Sequence, residues 1–79
     1  MALRLLVSND DLHDLTSREE EILVLVSRGM PNKEVARCLK CTERTVKYHM
    51  TNIMQKLNVR NRVEAVMKFR RSDASARGL

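Results

Sequence analysis

The sequence predicts an all-α fold, a single domain of four helices, and three observations support this prediction. Apolar residues recur at helical spacing, most clearly at Val46, Met50, Ile53 and Leu57. Capping residues precede these stretches, and glycine, proline and asparagine separate them. With 79 residues, 43% of them hydrophobic, the chain has core enough for three or four helices.

The charge balance favours a polyanionic partner. Fifteen basic residues against ten acidic ones give a net charge of +5 and a pI near 9.8. Aromatic residues are only 3% of the chain, which disfavours binding of RNA or single strands by base stacking. The apolar start, residues 1–7, is too short for a signal peptide or a membrane span. We therefore expect a cytoplasmic protein whose cysteines are reduced.

The beginning of the chain, residues 1–14, precedes the first helix signal. A short apolar run from Leu3 to Val7 is followed by a polar stretch. The run fits the end of a linker strand or helix from a neighbouring domain, and it equally fits a free arm. We predict a linker or flexible arm here, followed by one domain over residues 15–70.

The first helix is predicted over residues 17–28. Thr16 with Glu19 three residues later forms a capping box, and Leu15 occupies the position of a hydrophobic staple. Gly29 stops the helix. The spacing of a buried helix face is shown by Ile22, Leu23 and Val26.

The second helix is predicted over residues 32–40, with its start near Pro31 or Asn32, because proline suits the first helical position. Its inward residues are Val35, Ala36 and Leu39. Cys41 and Thr42 then form a short turn, and Thr42 caps the next helix.

The third helix, over residues 43–57, separates into distinct faces at 100° per residue. One face is the apolar stripe that begins at Val46. A polar flank contains Thr45, His49, Asn52 and Lys56. Opposite the stripe, with no acid among them, lie Arg44, Lys47, Tyr48, Thr51 and Gln55. These cations, hydroxyls and amide are groups that bond phosphates and base edges.

The fourth helix is predicted over residues 62–70, after a C-cap at Asn58 and a cap formed by Asn61 with Glu64. Its apolar residues cover more than half of the helical wheel, which suggests a second buried surface. We predict a dimer contact there through Val63, Val66 and Met67. The alternative is that Phe69 and Met67 cover a frayed helix end. Residues 71–79 lack an apolar period and are predicted to be a disordered tail.

In order and without gaps, about fifty residues resemble the LuxR-type (NarL/FixJ family) helix-turn-helix domain. The resemblance rests on LTSREEEIL at 15–23, NKEVA at 32–36, TVKYH at 45–49, NIMQKLNV at 52–59 and RVEAV at 62–66. Two residues depart from the family pattern. Pro31 stands where a serine cap is common, so Glu34 lacks a capping partner. Cys41 replaces an aliphatic core residue, where a cysteine acts as a small hydrophobe.

The resemblance implies a transcription factor that binds promoter double-stranded DNA, usually as a homodimer. Most such domains end a two-component response regulator or a small-molecule sensor. Residues 1–14 cannot contain a receiver domain, so the chain is either an isolated output domain or a small stand-alone regulator. We favour the isolated output domain, because the apolar start is typical of a truncated linker. RNA polymerase is a further candidate partner. We expect no membrane contact, and no small-molecule ligand, cofactor or metal in this domain.

Roles for individual side chains are predicted from the helical wheel and, for Lys47, Tyr48 and Thr51, also from the family resemblance. In a helix-turn-helix the second helix enters the major groove and the first braces against the DNA backbone. We predict base contacts from Arg44, Lys47, Tyr48 and Thr51. We predict phosphate contacts from Lys33, Thr42, Thr45, Asn52 and Lys56. Thr42 has its capping role in either case, and the alternative for Lys33 and Lys56 is a solvated surface.

Other chemistries have little support in the sequence. Cys38 and Cys41 form a CxxC, but zinc needs about four ligands and no second pair is suitably spaced. His49 has no nucleophile or paired carboxylate with it, so we expect it to bond backbone or phosphate and expect no enzyme activity. Glu19 could pair with an arginine such as Arg62. The remaining alternative is a helical protein-interaction adaptor.

Overall fold

Residues 14–76 are described by a computed structural model, with side chains described for residues 14–72. This part of the chain contains α1 (Ser17–Ser27), α2 (Asn32–Leu39), α3 (Glu43–Leu57) and α4 (Arg62–Ala76), and no strand. The all-α, four-helix prediction is confirmed, with the first three helices ending within one residue of their predicted limits. The expected linker or arm lies almost wholly outside the described residues. None of the described helices is long and apolar enough to cross a membrane.

The core is organised around one side of α3. Its predicted stripe, Val46, Met50, Ile53 and Leu57, is 0–4% exposed. α3 packs against each of the other three helices, and α1 also packs against α2 and α4. The core residues contributed by these helices are Ile22, Leu23, Val26, Val35, Ala36 and Ala65. Each fully buried aliphatic side chain of this size contributes roughly 1.5–3 kcal/mol, so the core fixes which side of α3 faces water.

The predicted caps fix where the helices begin and end. The Glu19 amide donates to Thr16 Oγ1 at 3.1 Å, and the Thr16 amide donates to Glu19 Oε1 at 2.9 Å. The predicted capping box is therefore confirmed. After the C-cap residue Arg28, Gly29 has φ +91°, a conformation that side chains rarely adopt.

Two left-handed residues close α2 and α3. Lys40 and Asn58 both have φ 58°, and each follows the last residue of its helix. Lys68 Nζ donates to the carbonyl of Leu57 at 2.8 Å, so a cation from α4 lies at the negative end of the α3 dipole. Asn58 is the predicted C-cap. Val59 folds back onto the core as predicted.

The fourth helix is longer than the sequence predicted. α4 continues to Ala76, so the predicted end at residue 70 and the predicted disorder are wrong for residues 71–76. Residues 77–79 lie outside the described residues. Just before the extension the Arg70 guanidinium donates to the carbonyl of Ser27 in α1, and within it Ser72 is only 2% exposed. These are a polar bond and a small buried side chain, neither of which produces an apolar period.

A buried ion pair joins α1 to α3. The Glu19 side chain is 5% exposed, and its Oε1 lies 2.8 Å from Lys56 Nζ. The suggested partner of Glu19, Arg62, bonds elsewhere: its guanidinium donates to Asn32 Oδ1 and to the carbonyl of Met30. That suggestion is wrong because Arg62 lies against the start of α2, whereas Lys56 lies beside the start of α1.

Burial raises the pKa of the Glu19 carboxyl, but its bonds with Lys56 and the Thr16 amide outweigh burial. Coulombic interactions with Lys56 and His49 act in the same direction, so the pKa of Glu19 falls below its usual 4.5. A carboxyl whose folded pKa is lowered adds stability above its unfolded pKa. That stability is lost as the pH falls through the folded pKa.

We therefore expect Glu19→Gln to lower the free energy of unfolding by about 1–3 kcal/mol at pH 7. The difference from the parent should shrink at pH 3, because the parent loses this stabilisation as the pH falls from the usual pKa of 4.5 towards and through the lowered folded pKa. Urea unfolding at the two pH values measures both quantities. Glu21→Gln is the control, because Glu21 pairs with Arg18 only at the surface. An equal loss for Glu19→Gln at both pH values would contradict the ion-pair account.

Candidate nucleic-acid interface

The water-facing side of α3 carries the side chains that the sequence predicted there. All five outward residues, Arg44, Lys47, Tyr48, Thr51 and Gln55, are exposed. The four residues of the apolar stripe are buried on the opposite side. The predicted orientation of α3 is thus confirmed. What the outward side chains touch in a complex stays a prediction.

The charge on α3 is almost entirely positive. Its one acidic residue, Glu43, is the first residue of the helix, where the helix dipole favours a negative charge. Arg44 and Lys47 follow within the first turns, and Lys56 lies in the last turn. A rod with cations along an exposed side attracts a polyanion from solution.

The hydroxyl groups at the start of α3 hold the helix end in place. Thr42 Oγ1 accepts from the Thr45 amide at 3.1 Å and donates to Thr45 Oγ1 at 3.0 Å. The capping role predicted for Thr42 is confirmed. Thr42 is exposed and Thr45 is half-buried, so both lie at the edge of the outward face.

Thr51 is also committed to a bond within α3. Its hydroxyl donates to the carbonyl of Lys47 at 3.1 Å. A hydroxyl has one hydrogen to donate and two lone pairs. In this geometry Thr51 can accept from a base but has no hydrogen left to donate. From the sequence alone, the Thr51 hydroxyl could either donate to a base or accept from one.

Lys56, on the polar flank, is shared between the fold and the surface. Its ammonium bonds Glu19, yet the lysine side chain is still 35% exposed. An ammonium has three donors, so two are left for another acceptor. Lys56 is therefore held by the fold, and its ammonium still has donors available for a ligand. Asn52, on the same flank, is half-buried.

His49, on the polar flank, follows Tyr48 of the outward face directly in the chain. It is half-buried, and its Nδ1 is buried without a hydrogen-bond partner. The backbone bond expected of His49 is thus absent at this nitrogen. The rings of Tyr48 and His49 meet edge to face, with centroids 5.5 Å apart and planes inclined at 63°.

The bracing helix, α2, presents Lys33 beside the start of α3. Lys33 is exposed in the first turn of α2 and lines a shallow cleft with Asn32, Glu43 and Arg62. Pro31 is the N-cap, one position before the predicted first helical residue, and provides no side-chain bond. The role of Arg62, which ties this end of α2 to α4, was not predicted from the sequence. No local pattern marks an arginine that bonds a carbonyl some thirty residues away.

The two cysteines differ in their surroundings. Cys38 is exposed, whereas Cys41 packs partly buried against the core, as predicted for a small hydrophobe. Within residues 14–72, no group of three or more His, Cys, Asp or Glu side chains could hold a metal ion.

The apolar residues of α4 divide between two directions. Ala65 is buried, and Phe69 packs against the core. Val63 and Met67 are 65% and 56% exposed, and Val66 is half-buried. Phe69 thus covers the core, but Met67 does not. Val63, Val66 and Met67, the predicted dimer contact, line one shallow groove together with the end of α1.

Comparison with known proteins adds an independent line of argument. Residues 13–69 match the family described as "Bacterial regulatory proteins, luxR family". The chain is 46% identical over 57 residues to the nitrate/nitrite response regulator protein NarL of Escherichia coli K12, covering 72% of this chain and 26% of NarL. It is 48% identical over 58 residues to the transcriptional regulatory protein LnrK of Bacillus subtilis 168, covering 73% of this chain and 26% of LnrK.

A solved structure shares the fold. The response regulator StyR superposes with a TM-score of 0.76 at 42% identity, covering 81% of this chain and 32% of StyR. The chain spans about a quarter of the length of the curated relatives it matches. The family match, the identities and the common fold agree: this chain belongs to the luxR family of bacterial regulatory proteins.

Proposed function

We propose that this chain binds promoter double-stranded DNA in a sequence-specific manner, as the output domain of a transcriptional regulator. The observation that carries the proposal is the outward side of α3, which is exposed along its length and has no acid beyond Glu43. Three other helices hold this side in a fixed orientation. Duplex DNA combines a phosphate backbone with base edges, and this face offers donors for both.

In the proposed complex α3 lies in the major groove and α2 braces against the backbone. The side chains assigned to base edges are Arg44, Lys47, Tyr48 and Thr51. Those assigned to phosphates are Lys33, Thr42, Thr45, Asn52 and Lys56. The phosphate contacts would fix the register of α3, and the base contacts would provide the sequence preference. The positive end of the α3 dipole adds to the attraction at the start of the helix.

We further propose that two copies bind together on DNA. Val63 and Met67 are exposed on α4, and Val66, which also packs against the core, lines the same shallow groove. Burying these side chains against a second copy would remove apolar area from water. A two-fold pair would read two half-sites separated by one helical turn of DNA or a multiple of it.

The larger protein that we propose is a two-component response regulator, working in the cytoplasm. The support is that NarL and StyR are both described as response regulators and that this chain matches about a quarter to a third of their lengths. A small stand-alone regulator of the same family is the second candidate. RNA polymerase is a further proposed partner of the DNA-bound protein.

Binding to duplex DNA should weaken steeply as salt rises, because each phosphate contact releases a counterion. Lys47→Ala should cost roughly 1–3 kcal/mol on a selected duplex and relax the preference at one base pair. Fluorescence anisotropy on the selected duplex and its single-base variants, at two salt concentrations, measures these three effects. Arg71→Ala is the matched control, since it removes one positive charge from an exposed position on α4. Binding that is unaffected by salt would favour the adaptor alternative instead.

Lys56→Ala should weaken binding on selected and scrambled duplexes alike and lower the salt slope by about one. The same change also removes the partner of a buried carboxylate, so the free energy of unfolding should fall too. Glu19→Gln separates the two effects. It removes the ion pair but keeps the ammonium, so it should retain the full salt slope. An unchanged slope in Lys56→Ala would exclude Lys56 as a phosphate contact.

Met67→Glu should abolish cooperative binding to a duplex with two half-sites while leaving binding to a single half-site intact. The physical reason is that a charge would be buried in the contact between copies. Met67 is 56% exposed in the single chain, so the fold should tolerate the change. Sedimentation of the complexes on both duplexes tests this. If two copies of Met67→Glu still bound one duplex as the parent does, the proposed contact through α4 would be wrong.

A further inference from the structure

Tyr48 is the largest side chain on the outward line of α3. It is the only tyrosine in the sequence and is 64% exposed. At 100° per residue it lies about 10° from the direction opposite the centre of the buried stripe. On α3 only Gln55 lies as close to that direction. On the helical wheel Tyr48 therefore points more directly away from the core than Arg44 and Lys47 do.

The direction of Tyr48 decides what it would meet in a groove. An α-helix with its side chains is about 10–12 Å across, and the major groove is about 12 Å wide, so the helix fills it. Phosphates line the two walls of the groove, and base edges form its floor. A side chain opposite the buried stripe faces the floor, whereas the flanking side chains face the walls. By this argument Tyr48 meets base edges.

The ring of Tyr48 is already partly held. Its edge-to-face contact with His49 spans 5.5 Å between centroids. His49 is a firm support because it is half-buried, with its Nδ1 out of contact with water. A ring ordered before binding loses less rotamer freedom on binding. His49 thus acts as a positioning residue for Tyr48.

The exposed part of Tyr48 is mainly an apolar ring. Its hydroxyl makes no hydrogen bond in the described part of the chain. On the floor of the major groove, the apolar group that base pairs present is the C5 methyl of thymine. Resting on the proposed function, we propose that the Tyr48 ring packs against a thymine C5 methyl and selects thymine at that position. The phenol hydroxyl is not needed for this selection.

The test starts from a duplex that the wild-type chain selects from a random pool. Each thymine in turn is replaced by deoxyuridine, which keeps the base pair and lacks only the methyl. Affinities of the wild type, Tyr48→Phe and Tyr48→Ala are compared at one salt concentration. At one thymine per half-site, deoxyuridine should weaken the wild type about fourfold, the effect of one buried methyl-sized group. Tyr48→Phe should respond like the wild type, and Tyr48→Ala should not respond.

Each other outcome has a defined meaning. If no duplex is enriched, the proposed function fails, and the thymine proposal fails with it. If a duplex is enriched but no thymine shows a methyl effect that depends on the ring, only the thymine proposal is overturned. A uniform loss in Tyr48→Phe on all duplexes would assign Tyr48 to a phosphate through its hydroxyl. Circular dichroism of the two variants checks that the helices are intact. Gln55→Ala is the control: Gln55 points in nearly the same direction as Tyr48 but carries no aromatic ring, so this variant should keep the methyl effect.

Discussion

Four side chains of α3, beginning with Val46 and ending with Leu57, are withdrawn from water, and all three other helices pack against this helix. A helix held on one side cannot rotate about its axis without exposing that stripe. Since each aliphatic residue is worth roughly 1.5–3 kcal/mol when fully buried, rotation would cost more than a domain of this size can lose. The orientation of the opposite side follows from this constraint, and with it every DNA contact that is proposed for α3.

Polar contacts add precision to what apolar packing begins. Glu19 caps α1 with one set of bonds and holds Lys56 of α3 with another, so one carboxylate connects the start of one helix to the last turn of the other. Arg62 likewise connects α4 to the start of α2. Apolar contacts are non-directional and tolerate small shifts, whereas hydrogen bonds between charged groups do not. These contacts therefore fix the position of α1 relative to α3 and of α4 relative to α2.

The proposed interface uses side chains that already have partners in the free protein. The Thr51 hydroxyl donates to the Lys47 carbonyl, and the Lys56 ammonium bonds the Glu19 carboxylate. The Tyr48 ring contacts the His49 ring edge to face. Each of these contacts restricts a side chain before DNA arrives and so reduces the ordering cost of binding. The restriction also limits which groups of a base Thr51 can bond, because its hydroxyl can then only accept a hydrogen bond. Sequence preference in this domain would then depend on internal bonds as much as on residue identity.

The sequence by itself determined the helices, their caps and the two sides of α3. These features depend on residues three or four positions apart, and such neighbours are visible in a linear pattern, as Thr16 with Glu19 shows. The family resemblance was visible for the same reason, through short ordered motifs from Leu15 to Val66. Only the tertiary structure decided that Glu19 pairs with Lys56, that Arg62 ties α4 to α2, and that α4 continues to Ala76. Those features join residues about thirty to forty positions apart or rest on one polar bond and one small buried side chain, and neither leaves a period in the sequence.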